Sequence, residues 1–82
     1  MKISSLDVYR DDFKYDMKSH FKTYEEANAY REKCQRNWIN HVDYVFLLTR
    51  DATGRLLKQT NLTKATEEER IKLLEEAGIP LK

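Results

Sequence analysis

The sequence predicts an α+β domain, one antiparallel sheet of about four strands in ββαββα order, with the first helix packed across one sheet face. Three observations carry this. Residues 13–21 alternate between apolar and polar side chains, the period of a half-buried strand. Thr23-Tyr24-Glu25-Glu26 and Thr66-Glu67-Glu68-Glu69 each place a threonine three residues ahead of a glutamate, the signature of a helix start. Residues 42–50 are apolar on both faces in the middle, and Asp51-Ala52-Thr53-Gly54 follows as a hairpin loop.

The elements follow in order. Residues 6–10 alternate weakly and form the first strand. Asp11-Asp12 marks a turn, because aspartate bonds its own backbone and tolerates turn geometry. In the second strand Phe13, Tyr15, Met17 and Phe21 share the inner face. Lys14, Asp16, Lys18, His20 and Lys22 share the outer one. A helix runs from about residue 24 to 38. Its apolar stripe is Ala27, Tyr30, Cys34 and Trp38, at spacings of three and four. The third strand covers 42–50 and its return strand 55–62, with Gly54 supplying a left-handed residue between them. The second helix ends at Gly78 and Pro80. It buries Ile71, Leu74 and Ala77, with Leu73 alongside. If it joins the first helix on one face, the other face of the middle strand needs a homodimer mate or another partner.

Composition limits the function. The 82 residues make one domain, 1–82, with a small core. Fifteen basic and fourteen acidic groups leave a net charge of +1, which excludes a polycation or an acidic nucleic-acid mimic. The +1 conceals a mildly basic stretch over 43–66 and an acidic one over 67–82. No apolar run reaches membrane length and no signal peptide opens the chain, so no membrane is expected. One cysteine fits a reducing cytoplasm.

Chemistry-bearing residues are few. Cys34 with His20, His41 and Asp43 could compose a nucleophilic set, but Cys34 sits on the core stripe, where cysteine is inert. Asp11, Asp12 and Asp16 lack the glycine and terminal glutamate of a calcium loop. No glycine-rich loop cradles a phosphate. The expectation is a non-enzyme with no cofactor and no metal.

Two binding readings remain. Nine aromatic residues exceed what a small core needs, and tyrosine and arginine dominate binding hot spots. Tyr24, Asn28, Arg31 and Arg36 on the first helix, with Tyr9, are therefore the expected protein-binding residues. The alternative is a nucleic-acid accessory protein using Lys14, Lys18, Lys22, Arg50, Arg55 and Lys58, since basic strands with aromatics track a backbone and stack bases.

Phe21-Lys22-Thr23-Tyr24-Glu25-Glu26-Ala27 resembles the strand-to-helix junction of phage-integrase arm-binding domains and of peptidoglycan-binding SPOR domains. It covers seven residues and is mostly a capping box. The glycine and proline positions of SPOR domains are missing between Leu57 and Thr66. In size and layout the chain is similar to small phage-encoded inhibitors of host machinery, including anti-CRISPR proteins. That likeness implies a phage- or mobile-element-encoded regulator that masks a larger host protein.

Overall fold

The computed structural model describes residues 1–82. Its elements are β1 (Ile3–Arg10), β2 (Tyr15–Phe21), α1 (Tyr24–Asn37), β3 (Asp43–Arg50), β4 (Leu56–Asn61) and α2 (Glu67–Ala77). The four strands form one antiparallel sheet in the order β2-β1-β3-β4. This is the expected ββαββα layout.

Local signals explain the helix ends. The Thr23 hydroxyl accepts the Glu26 N–H at 3.1 Å, and the Thr66 hydroxyl accepts the Glu69 N–H at 3.2 Å. Gly78 closes α2 at φ 71°, a left-handed position that costs glycine little. Residues beyond it then serve α1. The carbonyls of Pro80 and Leu81 accept the N–H groups of Tyr24 and Glu25 at 3.1 and 2.9 Å. Those are orphan donors of the first helical turn, so the end of the chain caps the first helix.

Both helices pack on the same face. Tyr24 and Ala27 of α1 and Leu74 of α2 meet Leu6, Val8, Val45, Leu47 and Leu62 in one buried cluster. The opposite face has no helix above it. There Tyr9, Phe46 and Leu48 are buried with Phe13 and Tyr44 packed against them. Tyr9 and Phe13 rings lie 4.2 Å apart between centroids, and Phe13 meets Phe46 at 5.1 Å. Asp7 is buried on this face, where it accepts the Ser5 hydroxyl and the His20 N–H, each at 3.2 Å.

Several expectations need correction. Residues 11–13 are a turn, with Asp11, Asp12 and Phe13 all at positive φ of 55°, 58° and 81°. Phe13 therefore leaves the strand and folds over the open face. In β2, the pairing of Leu6 with Phe21, Val8 with Lys18 and Tyr9 with Asp16 leaves two extra residues on that strand. Such bulges reset the alternation. Lys18 consequently lies on the helix side, 5.2 Å from the Phe21 ring and 5.4 Å from the Tyr30 ring. Tyr15, expected inside, is largely exposed. Trp38 is the C-cap of α1, at φ −135°, so it leaves the helical stripe and the core. Cys34 is only half-buried.

Candidate protein-binding surface

The end of the sheet where β1 stops and β3 starts concentrates the polar construction. Arg10 Nε donates to Asp43 Oδ1 at 2.8 Å, and Nη2 donates to Oδ2 at 3.3 Å. The side chains are 12% and 0% exposed, so this two-pronged pair is largely desolvated. The hydrogen bond to Asp43 tightens the hold of Arg10 on its proton. Gln35 of α1 fastens the loop that follows. Its Oε1 accepts the Asp43 N–H at 2.8 Å, and its Nε2 donates to the carbonyls of His41 at 2.6 Å and Trp38 at 3.3 Å. The Asp11 N–H donates to the Val42 carbonyl at 2.8 Å, and His41 Nδ1 meets Asp11 Oδ2 at 3.0 Å.

Residues 38–42 are thus tied at several backbone points, yet their apolar side chains face solvent. Trp38 is 56% exposed, Ile39 88% and Val42 50%. The Arg10 guanidinium sits 5.5 Å from the Trp38 ring centroid, a cation–π contact that supports the indole from below. Tyr15, 61% exposed, is the cross-strand neighbour of Arg10. Tryptophan and tyrosine are residue types enriched in binding hot spots.

The sequence-expected residues are distributed otherwise. Tyr24, expected near the surface, is core: burial pushes its hydroxyl up, opposed by Arg70 and then Arg31. The Arg70 guanidinium lies 5.2 Å from that ring. Arg31 Nε donates to Asn28 Oδ1 at 3.0 Å, and Asn28 donates to Glu32 at 3.3 Å, so these polar groups engage one another. Tyr9, also expected near the surface, is buried on the open sheet face, across the sheet from α1. Burial raises its hydroxyl, and Asp16 and Asp7 raise it further. Only Arg36, exposed in the last turn of α1, stands beside the Trp38 loop.

The basic set is split as well. β2 and β4 are the two outer strands, so Lys14, Lys18 and Lys22 lie along one edge. Arg55 and Lys58 lie at the other, with Arg50 on β3 beside them. Near Lys58, α2 and the sheet leave a groove of about 560 Å³, floored by Leu47 and Thr49 and walled by Leu73 and Glu76.

Cys34 and the histidines do not converge. Cys34 neighbours Tyr30, whose hydroxyl donates to the Met17 carbonyl at 3.4 Å and is raised first by burial and then by the nearby thiol. His41 is held by Asp11, and His20 lies exposed on the outer strand β2. No group of three His, Cys, Asp or Glu side chains is placed to hold a metal ion. No helix is long and apolar enough to cross a membrane.

No family model matches the chain, and neither the curated proteins nor the solved structures yield a match.

Tyr15, Trp38, Ile39 and Val42 are the surface that sequence reasoning missed. One signal was present. Trp38-Ile39 is an adjacent apolar pair between Asn37 and Asn40, two residues that favour ending a helix. A stripe at helical spacing has no place for Ile39 beside Trp38.

Proposed function

We propose that this chain is a non-enzymatic protein-binding module that acts by covering a surface of a larger protein. In this it would work in the manner of the phage-encoded inhibitors and regulators it resembles in size and layout. The observation that carries the reading is the Trp38-Ile39 pair, held out to solvent on a loop fastened by Gln35. A tethered loop loses little freedom on binding, so more of the contact energy reaches the affinity. A wholly exposed aromatic residue buries on the order of 150–250 Å², and Trp38, 56% exposed, has about half of that left to remove from water at roughly 25 cal/mol per Å² of apolar area. The single cysteine suits a reducing compartment, and we place the protein in the cytoplasm on that ground.

A photo-crosslinking residue at Ile39, compared with one at Glu68 on the exposed side of α2, tests this. In a lysate of the cells that make the protein, Ile39 is expected to give one discrete adduct that excess unlabelled protein competes away. Excess Trp38→Ser protein is expected not to compete. An adduct of twice the 9.8 kDa chain mass would make the occupant a second copy. Equal labelling from both positions refutes the reading.

A further inference from the structure

The β2 strand carries a conflict between its own pattern and its place in the sheet. Its residues alternate as an unbroken strand requires, with Tyr15, Met17, Ser19 and Phe21 in one set and Asp16, Lys18 and His20 in the other. The first two pairs, Arg10 with Tyr15 and Tyr9 with Asp16, agree with that pattern. Beyond them the ladder jumps to Val8 with Lys18 and then to Leu6 with Phe21, which leaves two residues over. The jump is costly. His20 sits at φ 62°, left-handed geometry that disfavours a residue with a Cβ. Asp7, 2% exposed, meets the Ser5 hydroxyl and the His20 N–H but no cation.

Continuing the first two pairs without a jump gives a second register. Val8 then opposes Met17, Asp7 opposes Lys18, Leu6 opposes Ser19 and Ser4 opposes Phe21. Opposed residues share a face, so Met17 meets Val8 on the helix side and Lys18 crosses to Asp7 on the open side. We propose that β2 is a two-register strand, whose regular register is a minor state in exchange with the bulged one. The bulged register is held at its far end. There Phe21 packs against the buried cluster and lies 5.5 Å from the Tyr30 ring. Slipping by two residues moves Phe21 about 7 Å along β1. It draws the start of α1 away from the Pro80 and Leu81 carbonyls, which hold the Tyr24 and Glu25 N–H groups. The registers also differ at the surface, because a bulged edge resists an added strand and a regular one accepts it. The slip therefore couples the first turn of α1 to whether β2 offers a free edge. Trp38, Ile39 and Val42 take no part, so the proposal stands apart from the protein-binding reading.

Relaxation dispersion and saturation transfer on backbone amides and α-carbons test this. Exchange on the microsecond-to-millisecond scale is expected at residues 17–21 and at Tyr24 and Glu25, with Gln59 and Thr60 of β4 quiet. In the minor state His20 is expected to show the α-carbon shift of an extended residue. His20→Val disfavours positive φ and is expected to raise the minor population about tenfold. Lys18→Glu, at an exposed position, sets a carboxylate against Asp7 in the slipped strand and is expected to lower it about fivefold. Random-coil shifts in the minor state mean that the strand merely frays, and they overturn the proposal. So does a quiet β2 in both the native chain and His20→Val, and so does exchange that Lys18→Glu leaves unchanged.

Discussion

On one face of the sheet, Leu6, Val8, Val45 and Leu47 are sealed beneath two helices. On the other, Tyr9, Phe46 and Leu48 reach similar burial with no helix above them. The difference lies in the side chains. Aliphatic groups are too short to cover a sheet, so they need a second layer. Aromatic rings are long enough to lie over their neighbours, and here Tyr9, Phe13, Tyr44 and Phe46 tile one another edge to face or tilted. That cover has a conformational cost. Phe13 reaches its place only because residues 11–13 turn through left-handed geometry, which disfavours a non-glycine residue by about 1–2 kcal/mol.

The largest test of this contrast removes one side chain from each face. Leu6→Ala empties a site enclosed on every side and is expected to lower unfolding free energy by about 3 kcal/mol in urea titration. Phe46→Ala opens a site that neighbouring rings and water can reach, and is expected to cost about 2 kcal/mol, below the usual range for that truncation. Equal losses would mean the rings seal their face as firmly as helices do.

A finer test concerns the turn. Both Phe13→Ala and Phe13→Gly lose the ring, but only glycine relieves φ 81°. Glycine is expected to be the more stable variant by about 1 kcal/mol, the reverse of the ordinary order. Thr66→Ala removes the α2 cap and is expected to cost about 1 kcal/mol by thermal melting. Chemical-shift changes should appear around Leu74 on the covered face and leave Phe46 unmoved.

The smallest effect is a titration. Tyr24 lies on the covered face and Tyr9 on the open one, and burial raises both hydroxyls above their ordinary value near 10. A tyrosine is neutral when protonated. Its raised folded pKa therefore gives stability that is complete below the unfolded value and lost as pH climbs through the folded one. Arg70 opposes the rise at Tyr24, and Asp16 with Asp7 adds to it at Tyr9. Arg70→Gln should push Tyr24 higher still and leave Tyr9 unchanged, as ultraviolet titration against Tyr9→Phe and Tyr24→Phe variants would show. Movement of both would mean the faces are electrically coupled through the sheet.

The residues whose roles were legible beforehand are those governed by their immediate neighbours. Thr23 and Thr66 cap helices because a threonine hydroxyl reaches an amide three residues on. Gly54, at φ 90°, turns the β3–β4 hairpin, and Gly78 stops α2. The misplaced residues depended on distant ones. Lys18 changed face because β2 carries two residues more than β1 can pair. Trp38 left the core because Gln35 draws the chain out of the helix toward His41. Tyr24, expected at the surface, was buried beneath Arg70 and the end of the chain.

The order of elements and the local stops and starts can be read from neighbouring residues, since these rest on backbone sterics and contacts within about four residues. Long-range packing settles the rest: both helices share one face, aromatic rings close the other, and Trp38 and Ile39 stand in solvent. Such outcomes turn on register and on which surfaces meet. A strand's pattern fixes which residues share a face but not what covers it, and one extra residue in a strand exchanges inside for outside.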